Sequence, residues 1–245
     1  MDITRISGLD EINLEDGTIR IGALVTHAQV AQSPLLREKA LTLSEGASKL
    51  GSPQIRNLGT VGGNIVSGQP GADTTIPLLA LDAKVKIASK QGDRTVPLTE
   101  FFLDTGKTVV DSTREMVTEI FFSALAEDES SVSLRLARRK ALALPILTVS
   151  VVVSADMKQK KLNRVRIALG PVAPTPFRPR EAEQMLASAS IADGVIKGAA
   201  RKAAQEASPR TSLLRGSEEY RREIIANLVE RGIRKGLERL EVKHG

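Results

Sequence analysis

The sequence predicts an α+β protein of two domains, and three observations carry that prediction. Short strands and short helices alternate through the first half. Beyond residue 131 longer alternating strands give way to helices. The charge also changes sign: residues 1–128 hold 12 basic and 17 acidic side chains, whereas residues 129–245 hold 23 basic and 12 acidic ones. The acidic, polar stretch Ala126–Ser131 (AEDESS) lies between, so domains are expected at residues 1–127 and 131–241.

In the first part, Ile3–Ile6 and Ile12–Leu14 have the pattern of strand pieces, and Glu15-Asp16-Gly17 turns the chain into a strand over Thr18–Leu24. Thr26 can cap a helix beginning near His27. Apolar residues at helical spacing (Leu35, Leu36, Ala40, Leu43, Ala47) predict one helix over Pro34–Lys49, ended by Gly51 and Pro53. Residues 54–73 are rich in glycine and only weakly periodic. Thr74–Leu81 reads as helix, the turn Lys90-Gln91-Gly92-Asp93 as a hairpin between Lys84–Ala88 and Arg94–Pro97, and Met116–Phe122 as a further strand.

In the second part, the alternation of Val132, Leu134 and Leu136, the β-branched run Ile146–Ser154, and the alternation of Val165, Ile167 and Leu169 predict a three-stranded antiparallel sheet. A lysine-rich hairpin at Met157–Leu162 joins the last two strands. Helices follow over Glu181–Ala187, Ala192–Ala207 and Ser217–Leu240. Ser217 is a capping residue, and Ile224, Leu228, Val229, Ile233, Leu237 and Leu240 share one face of the last helix.

Composition excludes several chemistries. The 245 residues contain no cysteine, so disulfides, thiolate nucleophiles and cysteine-ligated zinc or iron–sulfur clusters are absent from this chain. Only His27 and His244 could offer imidazole to a metal. Five phenylalanines and one tyrosine are too few for base-stacking platforms, so the basic second part argues for an acidic surface or an anionic ligand rather than nucleic acid. No apolar run reaches membrane-spanning length and MDITRISGLD lacks the form of a signal peptide, so a cytoplasmic location is expected.

The most informative segment is Arg56-Asn57-Leu58-Gly59-Thr60-Val61-Gly62-Gly63-Asn64-Ile65. Its glycines let backbone approach a ligand closely, and consecutive amides in such a bend can converge on a phosphate, with Thr60 and Asn64 adding hydrogen bonds. Spacing alone leaves a phosphate cradle and a structural turn both open. The loop lacks the G-x-G-x-x-G spacing of dinucleotide folds. Gly106-Lys107-Thr108 ends like a P-loop, but Phe101 stands where the first glycine is required, which makes it a surface turn. Asp73 precedes an apolar helix; position alone favours a helix cap over a carboxylate that accepts hydrogen bonds from a ligand's hydroxyls.

The stretch Ile55–Ala83, IRNLGTVGGNIVSGQPGADTTIPLLALDA, resembles the second flavin-binding segment of the FAD-binding, or medium, subunits of molybdenum hydroxylases, the xanthine dehydrogenase and aerobic carbon monoxide dehydrogenase type. The similarity extends back to Ile21–His27 and forward through Phe101-Phe102, Arg166–Pro176, Arg178 and Leu214–Arg222. It implies a fold like that of the vanillyl-alcohol-oxidase flavoproteins, followed by the sheet-plus-helices domain. It also implies an oxidoreductase subunit that uses FAD to carry electrons from iron–sulfur clusters of a small partner to an external acceptor. A large partner would carry the molybdenum cofactor and act on the substrate. By position, Thr60, Gly62, Gly63 and Asn64 would hold the pyrophosphate and ribityl chain, and Asp73 would accept hydrogen bonds from the cofactor. Met116 and Val117 would pass the flavin ring, unless they are simply core. Arg135 stands where the family often has lysine near the flavin; a solvated strand-edge arginine is the alternative. No acid, base, nucleophile or metal ligand is implied in this chain. The family opens with a strand–helix–strand segment bearing a first glycine motif of the A-G-G-T kind, and Asp2-Ile3-Thr4-Arg5-Ile6 corresponds to positions after it. Half of the phosphate cradle is therefore expected to be missing, which leaves a flavin-free scaffold subunit as the rival reading.

Overall fold

The computed structural model describes residue 3 and residues 6–139 and 143–244. The strand piece expected over Ile3–Ile6 rests on residues outside that description. Strands β1 (Ile12–Glu15) and β2 (Thr18–Gly22) form a hairpin turned at Asp16 and Gly17, both at positive φ. Six short helices follow: α1 (His27–Gln32), α2 (Pro34–Lys39), α3 (Leu41–Ser48), α4 (Pro53–Leu58), α5 (Val61–Val66) and α6 (Thr75–Ala80). Next come β3 (Lys84–Ser89), β4 (Gly92–Pro97), the small hairpin β5 (Phe102–Asp104) and β6 (Lys107–Thr108), and β7 (Glu115–Ser123). The second part holds β8 (Glu129–Ala137), β9 (Pro145–Asp156), β10 (Lys161–Gly170), α7 (Arg180–Leu186), α8 (Asp193–Glu206) and α9 (Glu218–His244).

The first sheet runs β1-β2-β7-β3-β4 and the second β10-β9-β8, antiparallel throughout. The α+β architecture is the expected one, with local departures. The helix expected over Pro34–Lys49 is two helices. Ala40 leaves helical space at φ −157° and ψ 48°, and the bend sends Leu36, Ala40 and Leu43 into one core. The weakly periodic stretch 54–73 contains α4 and α5, started by the hydroxyls of Ser52 and Thr60 but too short for apolar periodicity to register. Glu129, Ser130 and Ser131, read as linker, already belong to β8.

Strand β9 is the hinge of the architecture. Its alternation sends Val149, Val151 and Val153 toward α8 and α9, in a core with Ile225, Val229 and Ile233. Its other face meets the first part: Val152 joins the core around α3 and α6, and Ser150 Oγ lies 3.1 Å from Thr42 Oγ1. That second face is largely polar. Ser131 Oγ accepts from the Thr42 amide at 3.0 Å, Glu45 accepts from the Ser133 amide at 2.7 Å, and Arg239 pairs with Glu45 at 2.5 Å. At the β10 end, Asp82 gathers Arg164, Arg166 and Arg178, and Arg178 also pairs with Glu183. Among the described residues no helix is long and apolar enough to cross a membrane.

Candidate cofactor site

Two threonines organise the glycine-rich segment. Thr26 caps α1 in a reciprocal capping box with Gln29, and Thr60 accepts from the Gly63 amide at 3.1 Å to cap α5. The two threonines face each other in an isolated β-bridge, so α1 and α5 begin side by side. Val61 and Gly62 donate their amides to the carbonyls of Val25 (2.9 Å) and Ala23 (3.0 Å), and Asn64 donates to the Thr60 carbonyl (3.0 Å). Four successive amides are thus engaged within the chain rather than converging on an anion. Gly62 is required for contact: a Cβ there would lie 2.7 Å from the Cβ of Ala23. Gly63 differs. It is exposed, and a Cβ would meet only Thr60 Oγ1, at 3.1 Å, while its carbonyl accepts from the Ser67 amide at 3.0 Å.

Beside this segment His27 is buried, with Nδ1 lacking a partner. Burial lowers its pKa from 6.5 to about 4, so the ring is neutral at neutral pH.

Asn64, Asp73 and Arg135 come together on a cleft of about 600 Å³, well within the range of small-molecule sites. Thr74 Oγ1 donates to Asn64 Oδ1 at 2.7 Å and fixes that side chain at the wall. Asp73 does not cap α6; the N-cap is Thr74, without a side-chain bond. Instead Asp73 Oδ1 accepts from Arg135 Nε at 2.9 Å, and both side chains are only about a tenth exposed, at 10% and 8%. Arg135 is thus a buried, paired cation, also held by the Ala143 carbonyl, and not a solvated strand-edge residue. Burial pushes the Asp73 carboxyl above the usual range, while the charge and hydrogen bond of Arg135 pull it back.

The other expected residues do not line this cleft. Thr60 and Gly62 shape the start of α5. Val117 sits in the first core and pairs with Ile87, and Met116 is half-buried on the same strand. The cleft is also lined by Arg210, Arg215 and Arg221 with the apolar Pro171, Val172 and Leu144. No role follows for these arginines from sequence pattern, although Arg215 and Arg221 lie in the Leu214–Arg222 stretch that carries the family resemblance. Among the described residues no cluster of three acidic or histidine side chains could hold a metal.

The family model for the FAD binding domain in molybdopterin dehydrogenase matches residues 1–123, and that for the CO dehydrogenase flavoprotein C-terminal domain matches residues 132–235. The chain belongs to the FAD-binding medium subunits of the molybdenum hydroxylase family. It is 32% identical to the xanthine dehydrogenase FAD-binding subunit of Escherichia coli O157:H7, over 95% of this chain and 79% of that one. It is 30% identical to the carbon monoxide dehydrogenase medium chain of Hydrogenophaga pseudoflava, over the same shares. Among solved structures, carbon monoxide dehydrogenase from Hydrogenophaga pseudoflava superimposes with a TM-score of 0.92 at 31% identity, covering 97% of this chain and 81% of that one. Quinoline 2-oxidoreductase from Pseudomonas putida 86 gives 0.83 at 26% identity, over 95% and 79%.

This medium subunit is an oxidoreductase component whose family cofactor is FAD. The residues present fit that group. The Asn64 carboxamide and the buried Asp73–Arg135 pair, all on the cleft, offer a donor and acceptor set suited to hydroxyls and a polar ring edge.

Proposed function

We propose that this medium subunit holds FAD in the cleft and relays electrons from iron–sulfur clusters of a small partner to an external acceptor. A large partner would carry the molybdenum cofactor and oxidise the substrate. The observation that carries this reading is the Asp73–Arg135 pair, nearly dry yet opening on a cleft of about 600 Å³. A buried charge pair contributes little net stability, which favours a role toward a ligand.

When bound, the isoalloxazine supplies the redox chemistry. The chain's residues bind and orient. Asp73 accepts hydrogen bonds from cofactor hydroxyls, Arg135 provides a cation that stabilises negative charge on a reduced ring, and Asn64 fixes the ribityl region. Thr60, Gly62 and Gly63 support them by setting the start of α5, and Met116 and Val117 stiffen the neighbouring sheet. None acts as acid, base or nucleophile. The division at residues 1–127 and 131–241, and a cytoplasmic setting, belong to the same proposal; limited proteolysis and cell fractionation test them.

The visible absorption of the complex purified with its partners tests the cofactor reading. Flavin bands are expected, and Arg135→Gln should weaken flavin retention roughly tenfold or more, the cost of one charge-assisted hydrogen bond. A flavin-free complex that takes up no added FAD would overturn the reading. It would favour the scaffold alternative, which the engaged amides of Val61–Asn64 support.

A further inference from the structure

The charges lining the cleft are unevenly balanced. Arg135 is balanced by Asp73, the sole carboxylate among the described lining residues. Arg210, Arg215 and Arg221 line the cleft too, and among the described residues none of the three forms an ion pair with an acid. Arg221 is only 5% exposed, yet its guanidinium is held by neutral groups alone, the carbonyls of Arg210 (2.8 Å) and Pro171. Arg215 Nε donates to the Pro145 carbonyl at 3.2 Å. Carbonyls orient a guanidinium but leave its charge uncompensated, and buried cations are normally paired. Burial and then the nearby Arg215 charge push the Arg221 guanidinium below its ordinary pKa.

A purely structural role accounts for Arg221, which ties Pro171 to the segment around Arg210. It does not account for Arg210, which is exposed and lines the cleft without a side-chain partner among the described residues. Three guanidiniums lining one cleft, with donors to spare, match the several oxygens of a phosphate better than a single carboxylate.

We propose that Arg210, Arg215 and Arg221 form a site for a phosphate-bearing ligand in the cleft. Two sources share that chemistry: the diphosphate of FAD itself, or a phosphorylated soluble electron acceptor. Only the choice of source rests on the cofactor reading above.

Titration calorimetry with inorganic pyrophosphate tests the site directly, with Arg210→Gln, the double variant Arg210→Gln/Arg215→Gln, and Arg201→Gln on the exposed surface of α8 as control. The wild type should bind pyrophosphate more weakly as salt rises, each cleft substitution should cost roughly tenfold in affinity, and the control should match the wild type. Among the described residues the Arg210 side chain makes no hydrogen bond or ion pair, so an unchanged thermal transition is expected in its variant. Absence of wild-type binding at millimolar pyrophosphate, or cleft variants that bind like the control, would sink the proposal. Repeating the titration on FAD-loaded protein separates the sources. Binding lost on loading assigns the arginines to the cofactor's diphosphate; binding retained assigns them to a separate acceptor. Pyrophosphate binding by a protein that takes up no FAD would uphold the site while the cofactor reading fails.

Discussion

The two faces of the β8–β9–β10 sheet are built from the same strands and behave as different materials. The face toward α8 and α9 is apolar, with Val149, Val151 and Val153 meeting Val229 and Ile233. The opposite face, toward the first part, carries Ser131, Ser133, Thr148 and Ser150, and the Ser133 and Thr148 hydroxyls find no partner. The apolar face joins sheet and helices into one core. The polar face joins two separately built parts through directional bonds, as interfaces between domains commonly do. The polar face also leads to the cleft: Arg135 continues the line of Ser131 and Ser133 along β8 and lines it.

The contrast can be broken most severely from the apolar side. Val151→Asp would bury an unpaired charge against α9 and should cost more than about 4 kcal/mol, seen as loss of a cooperative thermal transition. A second test concerns a polar group inside the first part. Unfolded chains protonate histidine near pH 6.5, whereas buried His27 resists until about pH 4. Between those values the unfolded state binds more protons, so stability falls as pH falls, by roughly 3 kcal/mol in all. His27→Leu should flatten this part of the pH dependence measured by urea unfolding. The smallest effect is expected at the polar face. Glu45→Gln weakens the bond to Arg239 but keeps an acceptor for the Ser133 amide, at a cost of about 1 kcal/mol in the urea midpoint. A loss as large as that of Val151→Asp would mean that the two faces do not differ in kind.

Much of this was legible locally. The order Thr148-Val149-Ser150-Val151 already encodes two unlike faces, and Thr26, Ser217 and the apolar stripe of α9 signal helices through short-range chemistry. Position before an apolar helix marks Asp73 and family resemblance marks Arg135, but their pairing spans 62 residues and no local pattern records it. The same limit hid the fate of the glycine-rich segment. Its composition suggests free amides, whereas Val61 and Gly62 are claimed by carbonyls of Val25 and Ala23, far back in the chain. The cleft arginines were illegible for a related reason. Their significance lies in the lack of a paired acid among the described residues, a property of the folded surroundings rather than of the motif.

That stitched segment has a consequence for how a ligand is received. Glycine-rich loops commonly tighten around their ligands and lose conformational freedom in doing so. Here Val61, Gly62, Gly63 and Asn64 are each tied by a backbone bond before any ligand arrives. A molecule that reaches Gly63 or Asn64 meets a surface already ordered, and the entropy of ordering it has been settled during folding.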